Sequence, residues 1–134
     1  TSQVNTGNSY ICYAWKAVAN VSAFGSYTGG GAGSTVTETT GFSPRFIMIK
    51  AIDSTSSAGD PDWAISDVFT QETATSTQGT GNKNFLRPNV SNGTLADSAY
   101  GLIEYTSTGF KVHSQNAWDL VSDSGTTYIY AAFA

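Results

Sequence analysis

Cysteine, histidine and charge are scarce in this chain. Cys12 is the only cysteine among 134 residues, so no internal disulfide and no CxxC metal or redox pair can form. Its surroundings, Tyr10-Ile11-Cys12-Tyr13-Ala14-Trp15, lead us to expect a small buried hydrophobe. His113 is likewise the only histidine. One Cys and one His are too few for a zinc site, and no metal or cofactor is expected. The six Lys and Arg are scattered and the net charge is −4. That pattern excludes the clustered basic face that nucleic acid requires. No apolar run approaches the ~20 residues of a membrane-spanning helix. Neither a signal peptide nor an initial Met is present, as expected of a processed chain or of a piece of a longer one.

What fills the sequence instead is Ser, Thr, Gly and aromatics. There are 17 Ser, 18 Thr and 14 Gly, while aromatic residues reach 13%. Short β-branched and aromatic runs alternate with turn-forming clusters, the pattern of many short strands. No window of a dozen residues carries a 3.6-residue apolar period. Strands are predicted near 8–17, 21–27, 34–39, 45–52, 62–69, 84–87, 100–105, 110–114 and 126–133. Turns are expected at Gly29-Gly30-Gly31, at Thr106-Ser107-Thr108-Gly109 and at Ser122-Asp123-Ser124-Gly125. Residues 70–83 are polar without an apolar anchor and are expected to form an exposed loop. The fold class that follows is all-β: one antiparallel β-sandwich domain, jelly-roll or lectin-like. Its inward faces would be built from Phe46, Met48, Ile103, Tyr105, Phe110 and Val112, or from their alternating neighbours.

The chain also repeats itself. Ser9-Tyr10-Ile11-Cys12-Tyr13-Ala14-Trp15 matches Thr127-Tyr128-Ile129-Tyr130-Ala131-Ala132-Phe133 at an offset of 127 − 9 = 118 residues. Tyr, Ile and Ala recur in place, and Trp stands where Phe does. Both runs are apolar on both faces, so both are expected to be central or covered strands. The organisation that results is an N-terminal strand in residues 1–20 and a sandwich module in 21–134.

Chemistry-bearing motifs are weak. The glycine triplet has neither the Lys nor the helix of a phosphate loop. His113 lacks a G-x-S-x-G elbow, and no carboxylate pair stands out for glycoside hydrolysis. No catalytic residue is assigned. The acidic pairs Asp60/Asp62 and Asp119/Asp123 read as turn caps. Two Trp-Asp neighbourhoods offer an aromatic face beside a hydroxyl-binding carboxylate, as a glycan would need. They are Asn116, Trp118 and Asp119, and Asp62 with Trp63.

Gly41-Phe42-Ser43-Pro44-Arg45-Phe46-Ile47-Met48-Ile49-Lys50 resembles the GF-x-P-x-F-[IV]-x-IK signature of repeated modules in marine phage and prophage tail-fibre and virion proteins. Trp63 with Val68, Lys83 to Leu86, and Gly109-Phe110-Lys111-Val112 follow in that family's order. Val4-Asn5-Thr6 through Tyr10 to Ala17 resembles its closing signature, and 125–134 is a second copy. The resemblance implies a non-enzymatic virion surface protein, a tail-fibre or capsid-decoration module acting in particle assembly, host-surface attachment or both. It implies partners among other copies of itself or other virion proteins, with host-surface glycan as a further ligand. The alternative is a carbohydrate-binding module of a secreted bacterial adhesin.

Overall fold

The computed structural model describes residues 7, 9, 11–53, 62–69, 73–76, 79–82, 84–91, 95–96, 101–115 and 120–134. Among them there is no helix. The described residues form eleven strands: β1 (Ser22–Thr28), β2 (Thr35–Thr39), β3 (Phe46–Ala51), β4 (Trp63–Asp67), β5 (Thr73–Ser76), β6 (Gly79–Asn82), β7 (Asn84–Phe85), β8 (Leu95–Ala96), β9 (Leu102–Thr106), β10 (Gly109–His113) and β11 (Thr127–Phe133). One sheet runs β1-β11-β3-β4 and the other β2-β10-β9-β6-β5, with β7 and β8 pairing separately. Every pairing is antiparallel. The chain is an all-β sandwich.

Alternation decides which side chains enter the core, because successive residues of a strand point to opposite faces. In β11, Tyr128, Tyr130 and Ala132 point inward. They align across the ladder with Tyr27, Gly25 and Ala23 of β1, and with Ala51, Ile49 and Ile47 of β3. The second sheet answers with Ile103, Phe110 and Val112, all fully buried. Tyr105 packs against this core and donates its hydroxyl proton to Ser66 Oγ at 2.9 Å. Burial pushes the Tyr105 phenol well above its usual pKa. In β3 the inward pair is Ile47 and Ile49, the alternating neighbours of Phe46 and Met48.

Buried phenols also tie the ends of the sandwich. The rings of Tyr27 and Tyr128 stack with centroids 5.1 Å apart. The Tyr27 hydroxyl donates to the Val121 carbonyl at 2.6 Å, and that of Tyr128 accepts the Asp123 N–H at 2.9 Å. The turn before β11 is thereby clamped to the core. Phe110 meets the Tyr130 ring edge-on, at 5.1 Å between centroids.

Three expectations are corrected. Residues 11–17 join no sheet, and Ile11, Tyr13 and Trp15 are 82%, 74% and 58% exposed. Cys12 is exposed with them. The reason lies in the repeat: the central place that suits such a run is already filled by its copy, β11. Third, residues 70–83 are not simply a loop, because β5 and β6 form a hairpin there. Thr73 and Thr75 of β5 favour the extended backbone, and the hairpin gains its support by pairing of β6 with β9.

Candidate functional site

Three groups of side chains outside the core carry chemistry. The first is the outer face of the four-stranded sheet. Phe24, Ile129, Ala131, Phe133, Phe46, Met48 and Trp63 all occupy its outward positions. Solvent-facing sheets normally alternate apolar-in with polar-out; this outer face carries an apolar cluster, with Ser26, Lys50 and Asp67 beside it. Phe133, at one end of β11, lies 5.8 Å from Phe24 in an edge-on contact and 6.0 Å from Phe46. A cleft of about 300 Å³ opens over Phe24, Gly25, Met48, Ile129 and Ala131, with Trp15 and Trp63 among its walls. Trp15 stacks in turn on Tyr13, at 6.2 Å. Phe24 and Ile129 remain 38% and 39% exposed. The lining offers no carboxylate and no amide side chain. It suits apolar surface, and it lacks the acceptors that would fix a sugar's hydroxyls.

The second group surrounds Asp62. Its carboxylate is 5% exposed and accepts from Arg87 Nη1 at 3.0 Å and Asn89 Nδ2 at 2.5 Å. Asn89 Oδ1 then accepts the Trp63 N–H at 2.9 Å. Trp63 presents its indole to Lys50, whose ammonium lies 5.3 Å from a ring centroid, a cation–π geometry. Asp62 and Trp63 are thus adjacent but face opposite ways: the carboxylate is turned into a buried ion pair, and the ring onto the outer face. The other glycan candidates, Asn116, Trp118 and Asp119, lie outside the described residues.

The third group is a polar ladder across β2, β10 and β9. His113 is 3% exposed, with Nδ1 3.0 Å from Thr35 Oγ1 and Nε2 2.8 Å from Glu104 Oε2. Glu104 Oε1 also accepts from Lys111 Nζ at 2.8 Å. The Lys111 hydrogen bond, followed by that of His113, holds the Glu104 carboxyl below its ordinary pKa against the opposing effect of burial. A hydroxyl, an imidazole and a carboxylate in sequence resemble a catalytic relay, but three features set them apart. Thr35 and His113 are direct cross-strand partners, as are Lys111 and Glu104, so an ordinary ladder of paired side chains explains the contacts. The nitrogens are used in the reverse order to the Ser-His-Asp arrangement, where the carboxylate sits on Nδ1. Acyl transfer also needs N–H donors aimed at a developing oxyanion, and those of Gly33, Ser34 and Ser114 are spent on Ser114, Gly31 and Ser34 carbonyls.

Sequence reasoning missed the outer apolar face as a site. The signal was present: Phe46-Ile47-Met48-Ile49 and 127–133 lack polar alternation.

A family model matches residues 1–134, from the first residue of the chain to the last. The chain belongs to the DUF7483 family, a domain of unknown function. No curated protein and no solved structure matches it. The DUF7483 match takes in both copies of the repeat, the exposed segment as well as β11. In this DUF7483 chain, then, the surfaces with unspent binding capacity are the apolar outer face and the segment beside it.

Proposed function

We propose that this chain is a non-enzymatic module of a bacteriophage particle surface, in a tail fibre or a capsid decoration, and that it works by assembling with other copies or other virion proteins. The observation that supports the reading is the apolar outer face of β1, β11 and β3, flanked by the exposed Tyr13 and Trp15. Contiguous exposed apolar surface of this kind marks interaction sites in soluble proteins. Aromatics and Met supply the contact area typical of an interface core. Host attachment is a further role in the same setting. The glycan reading has less behind it, since Asp62 is already satisfied by Arg87 and Asn89.

Two measurements test this. Purified virions of a phage encoding the chain are examined by mass spectrometry and by imaging with a labelled antibody; the chain is expected on the particle exterior, and its absence from particles overturns the reading. Sedimentation of the purified chain is expected to show association that Phe24→Asp and Ile129→Lys abolish without loss of folding. A chain that is monomeric at high concentration, and unchanged by both substitutions, argues against this face as the contact.

A further inference from the structure

Hydrogen-bond parity fixes which main-chain groups of β1 point away from its sheet. β1 pairs with β11 in one register, from Ser22 with Phe133 to Thr28 with Thr127. Along such a ladder, directly bonded pairs alternate with pairs that are not bonded. Just beyond its two ends, Ala134 N–H donates to the Val21 carbonyl at 3.0 Å and Gly29 N–H to the Thr126 carbonyl at 2.8 Å. The odd-numbered residues Ala23, Gly25 and Tyr27 therefore bond to β11. Ser22, Phe24, Ser26 and Thr28 turn their N–H and C=O groups to the free edge. Ser22 meets Val18 there: its N–H donates to the Val18 carbonyl at 2.9 Å, and its carbonyl accepts the Val18 N–H at 3.1 Å. Phe24, Ser26 and Thr28 have no main-chain partner on that side among the described residues.

Two other edges are guarded. At the far side of the same sheet, β4 exchanges bonds of 2.9 Å in both directions between Ile65 and Leu86. At an edge of the second sheet, β2 turns Glu38 to the same side as Val36, which packs against the core. The Glu38 carboxyl bonds to Tyr130, and burial raises its pKa. A charge pointed inward from an edge strand opposes the addition of another strand. β1, Ser-Ala-Phe-Gly-Ser-Tyr-Thr, has no charged residue and no proline.

We infer that the free edge of β1 pairs antiparallel with the same edge of a second copy of this chain, about a two-fold axis at Ser26. The inference rests on the assembly reading above and names its contact. The register follows from the length of edge that is open. The Val18 bridge stops the ladder at Ser22, and beyond Thr28 the N–H groups of Gly29 and Gly31 turn to the Thr126 and Ser122 carbonyls. Phe24 then pairs with Thr28 of the second copy, Ser26 with its own counterpart, and Thr28 with Phe24. Each of these pairs exchanges two N–H···O=C bonds. Each chain carries a net charge of −4, yet no charged residue of β1 meets its like across the axis. Phe24 stands on the apolar outer face, 38% exposed, so the pairing also joins two such faces side by side. Strand addition supplies the main-chain hydrogen bonds, and a self-complementary contact of this kind closes at two copies.

The test uses the full chain with Cys12→Ser, a change at an exposed position. In that background Ser26→Cys is expected to oxidise to a covalent dimer, because the Cα atoms of a directly bonded pair lie ~5.5 Å apart, within the span of a disulfide. Thr37→Cys, exposed on β2, is expected to stay largely monomeric at the same concentration. Ser26→Pro removes an N–H that β11 does not use, a place where an edge strand tolerates proline. It is expected to keep the circular dichroism spectrum of the parent and to associate at least about tenfold more weakly in sedimentation, since all three bonded pairs are disturbed. Ala23→Pro removes an N–H bonded to β11 and is expected to lower the melting temperature sharply. The inference is overturned if Ser26→Cys crosslinks no more than Thr37→Cys, if Ser26→Pro associates as tightly as the parent, or if Ser26→Pro unfolds as Ala23→Pro does. Association that Ile129→Lys abolishes and Ser26→Pro leaves intact would make the outer face the contact and sink the edge inference alone. Absence of the chain from virions would sink the particle reading and leave the β1 pairing standing.

Discussion

Phe110→Ala should be among the most damaging single changes in this chain. The ring is fully buried and is the main aromatic contact from the β10 sheet onto Tyr130 of the other sheet. Truncation removes the transfer free energy of the lost carbons and leaves a void that close-packed neighbours cannot fill, for a total cost of ~3–5 kcal/mol. Domains of this size hold roughly 5–15 kcal/mol in all, so about a fifth of the stability or more is lost. With about 4 °C for each kcal/mol, the melting temperature falls by roughly 15 °C. Urea unfolding followed by tryptophan fluorescence measures the loss. Phe24→Ser serves as the contrast, because Phe24 is 38% exposed on the outer face; it should cost about 1 kcal/mol or less. A double-mutant cycle between Phe110→Leu and Tyr130→Leu should isolate a coupling of ~0.5–1.5 kcal/mol from the edge-on ring pair. The cycle also cancels the hydrogen bond between Tyr130 and Glu38. If Phe110→Ala shifts the urea midpoint no more than Phe24→Ser, the inward and outward faces have been assigned wrongly.

Asp62→Ala removes the charged partner that Arg87, 17% exposed, has among the described residues, and should cost about 3 kcal/mol, whereas Asp62→Asn should cost clearly less; equal losses in urea midpoint would show that the charge contributes little. Glu104 has a folded-state pKa below its usual 4.5, so its contribution is present above that value and is lost as pH falls through the lowered one. The stability gap between the parent and Glu104→Gln, read from thermal melts across pH 2 to 7, should therefore narrow below about pH 4. A gap that widens on acidification would contradict the direction of the shift. His113→Ala should reduce stability through the lost contacts to Thr35 and Glu104, read as a lowered urea midpoint, and Glu104→Gln should reduce it through the same network. A folded His113→Ala chain that fails only in a bond-cleavage assay would restore the enzymatic interpretation of the polar ladder.

Much of this architecture was legible in the residues themselves. Period-2 patterning and turn clusters located the strands around 21–27, 34–39, 45–52, 62–69, 100–105, 110–114 and 126–133, because side-chain alternation and turn chemistry are local properties. The same patterning made the chain all-β and paired Ile103 and Tyr105 with Phe110 and Val112. The repeat between 9–15 and 127–133 was also visible in sequence, and with it the expectation that both segments are central strands. Only the tertiary structure decided between them. One place lies between β1 and β3, and 127–133 hold it; which of two similar runs is buried depends on long-range pairing, which no local pattern encodes. The hairpin of β5 and β6 escaped for a related reason: its support comes from pairing with β9, distant in sequence, and not from apolar residues of its own. The environment of Asp62 was likewise set by Arg87 and Asn89, 25 and 27 residues away. Residue type showed where a carboxylate stood beside an indole. Long-range packing turned that carboxylate inward and left the indole on a face whose apolar character both sequence and structure record.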